Sequence, residues 1–139
     1  MPWLQELPDP MTSVVYGSWA ELNPATMAEL GIRDGDVLEV SSPNGMLRAP
    51  ALAFKAISPG VLAMPIGQGH SDFGRYASER GTNPIDIVAT LVDEQSGELA
   101  WAATRVKIRN TGEQVRIIRN DGVSRTLGRQ ILGPAGDHA

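Results

Sequence analysis

The sequence predicts a mainly β chain, a barrel of six or seven short strands with one or two short helices. Short apolar runs of strand-like composition recur between clusters of glycine, proline and asparagine, the punctuation of an all-β fold. Asn44-Gly45 lies between two of those runs and is the strongest short-range hairpin signal. The segment from Asn23 to Gly31 carries both the start and the stop of a short helix. A length of 139 residues fits one domain with one core, and 42% apolar against 5% aromatic residues makes that core aliphatic.

Taken in order, residues 1–13 hold three prolines and read as an extended arm. Ser13 to Leu22 reads as a strand, interrupted or bulged at Gly17. Asn23 is a good N-cap, and Pro24 at the first helical position loses no needed hydrogen bond. Met27, Leu30 and Ile32 face the core, and Gly31 stops the helix in the left-handed conformation. Asp34-Gly35 turns the chain into a strand over Asp36–Val40. After the turn at Ser42–Gly45, Leu47–Phe54 is the return strand, with Pro50 suggesting an edge or a bulge.

Ser58-Pro59-Gly60 leads into Val61–Met64, read as a fully buried strand. Gly67 to Thr82 is irregular, with glycine at 67, 69, 74 and 81. Asn83-Pro84 caps a second short turn before the apolar Ile85–Leu91, a faint echo of Asn23-Pro24. Asp93–Gly97 is a turn, Trp101–Arg109 a strand by alternation, and Gln114–Arg119 another. The expected organisation is thus an arm over 1–13, a barrel over 14–119 and a flexible tail over 120–139.

Composition excludes several classes. A net charge of −4 has the wrong sign for a general phosphate-backbone binder, so no nucleic-acid partner is expected. The absence of cysteine removes disulfides, thiolate metal sites and cysteine nucleophiles. The chain has two histidines, and His138 lies in the polar tail, so neither a catalytic residue nor a metal ligand set is expected. No apolar run reaches the roughly 20 residues needed to span a bilayer, so direct membrane insertion is not expected, though docking on a membrane-bound partner stays open.

The chemistry-bearing stretch is Gly67-Gln68-Gly69-His70-Ser71-Asp72-Phe73-Gly74-Arg75, placed straight after a predicted strand. Glycine there lets backbone N–H groups approach a ligand. The spacing is neither a Rossmann fingerprint, whose third glycine would fall on Asp72, nor a Walker loop. Arg75 suits a phosphate or carboxylate, or is a solvated cation near Asp72 or Glu79. His70 can donate to a ligand oxygen or serve as an acid or base, or simply be a hydrogen-bonded loop residue. Asn83 can read a heterocycle edge, although capping alone explains it. Ser71, His70 and Asp72 are adjacent, which is the wrong way to build a nucleophilic triad. Trp3, Trp19 and Trp101 read as packing anchors. Arg105, Lys107, Arg109, Arg116 and Arg119 form a basic scatter on strand faces, solvated or facing an acidic partner.

The run from Trp19 to Gly45, with Asn23-Pro24, Gly31-Ile32-Arg33-Asp34-Gly35-Asp36 and Asn44-Gly45, resembles the molybdopterin dinucleotide-binding domain. That domain ends the large subunit of dimethyl-sulfoxide-reductase-type molybdenum oxidoreductases. Pro2-Trp3-Leu4-Gln5-Glu6 agrees with it, as do Gly67-Gln68-Gly69-His70 and Gly81-Thr82-Asn83-Pro84, so the resemblance covers about residues 2 to 91. The later Leu99 to Ile108 is most similar to the quinol-oxidising branch, the large subunit of alternative complex III.

The resemblance implies a double-psi β-barrel that binds molybdopterin guanine dinucleotide through loops at its open end. Carried over by position, Trp3, Gln5, Gly67, Gln68, Gly69, His70, Ser71, Arg75 and Asn83 become the cofactor contacts. It also implies partners: the remainder of a molybdopterin oxidoreductase large subunit, which supplies the metal ligand, and an iron–sulfur electron-transfer subunit. On this reading the chain is not catalytic on its own. The alternative complex III branch implies instead a structural barrel that has lost the cofactor. A self-processing aspartate decarboxylase shares the general fold, but Gly17-Ser18 is the only Gly-Ser pair here and its context does not match.

Overall fold

The computed structural model describes residues 6–72 and 74–120. Trp3, Gln5, Phe73 and the tail beyond Asn120 lie outside them. The described chain is mainly β, with strands β1 (Ala20–Leu22), β2 (Asp36–Ser42), β3 (Gly45–Ala53), β4 (Leu62–Ala63) and β5 (Lys107–Gln114). Two short helices, α1 (Pro24–Leu30) and α2 (Gly74–Ala77), and 3-10 turns at Pro84–Ile87 and Trp101–Ala103 connect them. The strands form one sheet in the order β4-β1-β3-β2-β5, which does not close on itself among the described residues.

The helix-to-strand unit forms as its chemistry dictates. The Asn23 side chain accepts from the Ala25 amide, and Gly31 takes the left-handed conformation (φ 65°) while its N–H closes the last turn. Asn23 also works across the chain, because its Nδ2 donates to the Ile57 carbonyl at 2.6 Å. Asn83 repeats the cap at the second Asn-Pro pair, its side chain accepting from the Ile85 amide.

β2 and β3 make the expected hairpin, but its turn is shifted by one residue. Ser42 pairs with Gly45, so Pro43-Asn44 are the loop residues. Neither Asn44 nor Gly45 has a positive φ, which rules out the primed turn that an Asn-Gly pair favours. Pro43 supplies the preset φ of an ordinary type I position, and Asn44 is held by its Nδ2 bond to the Val88 carbonyl at 2.7 Å.

Pro50 is not on an edge strand. β3 is central, parallel to β1 (Ala20 with Ala51) and antiparallel to β2. Pro50 pairs with Val37 of β2, and on the other side of β2 the β2–β5 register shifts between Asp36 and Leu38. There Thr111 Oγ1 donates to the Val37 carbonyl at 2.8 Å.

Other strands differ in extent. Ser13–Leu22 is broken by positive φ at Ser13 and Tyr16, which leaves β1 three residues long and Val14 in an isolated bridge with Arg119. The expected Val61–Met64 strand is two residues of β4, half-buried at the edge of the sheet. Trp101–Arg109 begins as a 3-10 turn, and its strand runs on to Gln114. Gln114–Arg119 is not a separate strand.

Alternation places the core. Leu38 and Val40 of β2 and Leu47, Ala49 and Ala51 of β3 face Ala20, Leu22, Met27, Ile32 and Ile87 in one aliphatic cluster. Leu62 and Met64 on one side, and Val106 and Ile108 on the other, pack partly buried against it. Trp19 joins Val14 and Leu52 in a smaller cluster, with its Nε1 donating to Glu21 Oε1 at 2.9 Å. No described helix is long and apolar enough to cross a membrane.

Polar residues of the sheet form a charged ladder. Glu39 stands opposite Arg48 on β3 and Arg109 on β5, and it takes a two-point contact from Arg109 at 3.1 and 2.6 Å. That hydrogen bond is the main reason the Glu39 carboxyl sits below the usual glutamate range. Arg119 pairs loosely with Asp34, so part of the basic scatter is spent within the chain.

Two outcomes follow. Asn23→Ala removes a cap and orphans the Ile57 carbonyl, at a cost of about 2 kcal/mol in a urea titration. The depressed Glu39 carboxyl favours the folded state at neutral pH. Its contribution is full above the ordinary glutamate value of about 4.3 and is lost as pH falls through the lower folded value. Glu39→Gln therefore lowers stability at pH 7, and the gap to wild type narrows as the acid limb is descended.

Candidate functional site

The loop from Gly67 to Asn83 is irregular, yet it is tied down at several points. The Ser18 hydroxyl, 8% exposed, accepts from the Thr82 amide at 2.8 Å and shares its proton between the Thr82 carbonyl and Gln68 Oε1. Gln68 Nε2 donates to the Gly17 carbonyl at 3.1 Å. Thr82 Oγ1 donates to the Arg48 carbonyl of β3 at 2.8 Å. These bonds fasten both ends of the loop to the segment before β1 and to the central strand. Within the loop, the Gly69 amide donates to the Arg80 carbonyl, and the Glu79 amide to the His70 carbonyl.

Gly69 marks the tightest crossing. Its φ is 78°, and a Cβ there would overlap the Asn83 nitrogen and come within 2.8 Å of Thr82 Cα. The two limbs of the loop can cross only with glycine at this point. Gly67 is different: its φ is 104°, but nothing lies within 4 Å of where a Cβ would stand. The space beside it is open.

The structure thus divides the sequence-predicted residues. Gln68 and Gly69 are spent on holding the loop. Asn83 is spent on capping, since its Oδ1 accepts from the Ile85 amide and its Nδ2 donates to Asp86 at 2.8 Å. His70 is half-buried on the same loop. Ser71 and Arg75 are exposed, and neither Asp72 nor Glu79 forms an ion pair with Arg75 among the described residues. Trp3 and Gln5 lie outside the described residues. Ser18 and Thr82 were missed by sequence reasoning. Gly17-Ser18 reads locally as a bulge, and no local signal says that its hydroxyl meets a loop 50 to 64 residues away.

Among the exposed residues of this loop, Gly67, the Ser71 hydroxyl and the Arg75 guanidinium have no hydrogen-bond or ion-pair partner among the described residues, and Asp72, Glu79 and Arg80 are exposed beside them. That donor set suits anionic oxygens, as on a phosphate or pyrophosphate. The scaffold beneath it is mainly β among the described residues. The comparisons narrow the class further. A family model, the Molydopterin dinucleotide binding domain, matches residues 3–105, and the chain belongs to that family.

Among its relatives is the arsenate respiratory reductase molybdopterin-containing subunit of Shewanella sp. (strain ANA-3). It is 36% identical over 72% of this chain and 12% of that protein. The menaquinone reductase molybdopterin-binding-like subunit of Nitratidesulfovibrio vulgaris is 29% identical over 63% of this chain and 13% of that protein. Acetylene hydratase from Pelobacter acetylenicus shares the fold at a TM-score of 0.54 and 19% identity, over 67% of this chain and 14% of that one. The chain thus spans about an eighth of the curated relatives it matches. It is a molybdopterin dinucleotide-binding domain, corresponding to a fragment of large molybdopterin oxidoreductase subunits.

The two glycines can be told apart experimentally. Gly67→Ala meets only the left-handed backbone penalty of about 1–2 kcal/mol. Gly69→Ala meets that penalty and a backbone collision, so its melting temperature falls further and amide exchange at Thr82 and Asn83 accelerates with it. Equal losses for the two variants would show that the limbs do not cross at Gly69.

Proposed function

We propose that the chain holds molybdopterin guanine dinucleotide within a larger molybdopterin oxidoreductase, at the open end of a double-psi β-barrel. The observation that carries this reading is the tied-down Gly67–Asn83 loop, with Gly67, Ser71 and Arg75 left free of partners among the described residues. Donors held rigid before the ligand arrives lose little entropy on binding. The Gly67 backbone and the Ser71 hydroxyl would take phosphate oxygens, Arg75 would add a charge-assisted contact, and His70, Trp3 and Gln5 would complete the site. Gln68, Gly69 and Asn83 act by position, since their polar groups already serve the scaffold.

The bound cofactor supplies metal-centred redox chemistry. This chain binds and orients it, and the metal ligand comes from the remainder of the large subunit. An iron–sulfur subunit is the electron-transfer partner, in a complex that can associate with a membrane through other chains.

A second reading is a cofactor-free structural barrel docking on an iron–sulfur partner in a membrane-associated quinol-oxidising complex. Two observations favour it: the amides of Gln68 and Asn83 are engaged within the chain, and one relative is described as molybdopterin-binding-like.

Analysis of the assembled native protein separates the two. Molybdenum recovered together with guanine nucleotide after acid release supports the first reading. Iron–sulfur clusters with neither component support the second. On the first reading Arg75→Ala lowers retained guanine nucleotide about ten- to a hundredfold in affinity, the range for a charge-assisted hydrogen bond. Asn83→Ala acts through loosened loop geometry and costs stability as well.

A further inference from the structure

The tip of the β2–β3 hairpin carries a reactive pair of residues that the Gly67–Asn83 loop does not use. Pro43-Asn44 is the two-residue connection, and Ser42 and Gly45 pair as the last rung beneath it. Asn44 is exposed, and the residue after it is the one type whose backbone nitrogen has no Cβ beside it. Asn44 Nδ2 donates to the Val88 carbonyl at 2.7 Å, and Ser42 Oγ donates to the Ile87 carbonyl at 2.6 Å. These two bonds clamp the hairpin tip to the end of the 3-10 turn Pro84–Ile87 that Asn83 caps. The Asn44 bond is exposed, so water replaces it at small cost, and the last rung of a ladder opens most readily. The Ser42 bond keeps the tip attached when Asn44 lets go.

We infer that Asn44 is the first site of spontaneous deamidation in this chain, and that its conversion releases the clamp on Val88. The Gly45 backbone nitrogen gives its proton to solvent and attacks Asn44 Cγ. The Cγ–Nδ2 bond breaks, ammonia leaves, and a cyclic imide joins the two residues. Water then opens the imide at one carbonyl or the other, giving aspartate or isoaspartate, with no change of oxidation state. Either product exchanges a donor amide for a carboxylate, which only accepts and cannot bind the Val88 carbonyl. Isoaspartate also lengthens the main chain of a two-residue turn.

Other positions lack this combination. Asn23 and Asn83 precede proline, which has no N–H to attack with. Asn110 is held at both polar atoms, Nδ2 by Asp36 and Oδ1 by the Gly112 amide, each at 2.9 Å, and β-branched Thr111 follows it. Asp34-Gly35, the comparable acid pair, is locked. Its Gly35 amide donates to the Ala51 carbonyl at 2.8 Å, and Asp34 Oδ1 receives the Ala53 amide at 2.7 Å.

The test incubates the folded 139-residue chain at mildly alkaline pH. Peptide mass spectrometry follows amide-to-acid conversion at each asparagine, and isoaspartate methyltransferase labels the product. Asn44 should convert ahead of Asn110 and Asn120, faster as pH rises, with isoaspartate among the products. Gly45→Ala keeps the fold, since φ there is not positive and a Cβ would meet only the Asp86 carbonyl and Ile87 Cγ2 at 3.5 Å. It should slow conversion about tenfold by crowding the attacking nitrogen. Asn44→Asp, the product itself, should speed amide exchange at Val88 and Ala89. An Asn44 that stays intact in the folded chain while the urea-unfolded chain converts overturns the site. Conversion led by another asparagine, or an unchanged rate in Gly45→Ala, does the same. Unchanged exchange at Val88 and Ala89 in Asn44→Asp overturns the released clamp.

Discussion

The position of the Gly67–Asn83 loop depends on one buried hydroxyl. Ser18 Oγ receives the Thr82 amide and offers its proton to Gln68 and to the Thr82 carbonyl, so one side chain fixes both limbs of the loop. A loop of this length with four glycines would otherwise pay a large conformational entropy on ordering. The crossing at Gly69 adds a steric condition to the polar one, because the limbs pass too closely for any Cβ. Gln68, Gly69 and Thr82 are held against the rest of the chain, while Gly67, Ser71 and Arg75 are exposed.

The scaffold beneath this loop is itself held from several directions. Thr82 Oγ1 reaches the backbone of β3, the central strand, whose neighbours are β1 and β2. The same strand carries Arg48, which faces the Glu39 carboxylate across the sheet. The loop, the ladder and the aliphatic core therefore share β3. A disturbance of its register would move the site as well as the core, since a slip of one residue exchanges the faces of a strand.

Much of the fold was legible locally. Both Asn-Pro caps, the glycine stop at Gly31 and the existence of the β2–β3 hairpin follow from short-range backbone preferences. The errors lie where a distant contact outweighs such a preference. Asn44 gave up the primed turn and is instead bound to Val88. Val61–Met64 has the composition of a buried strand, but it lies at an edge because no described strand covers its outer side. The glycine-rich loop and the family motif were legible in the sequence. The split between residues that hold the loop and residues that face outward was not, since Gln68 and Arg75 are both polar residues on the same glycine-rich stretch.

By itself the sequence determined the class: a mainly β, aliphatic-cored domain with one helix-to-strand corner and one glycine-rich loop, in a family marked by those two segments. Capping, turn and period-2 preferences act within a few residues, so they are written in the sequence. Only the tertiary structure decided that Ser18 governs the loop, that Asn83 and Gln68 serve the scaffold, and that the sheet does not close between β4 and β5 among the described residues. Those outcomes depend on contacts between residues tens of positions apart, and the residues themselves carry no local mark of their partners.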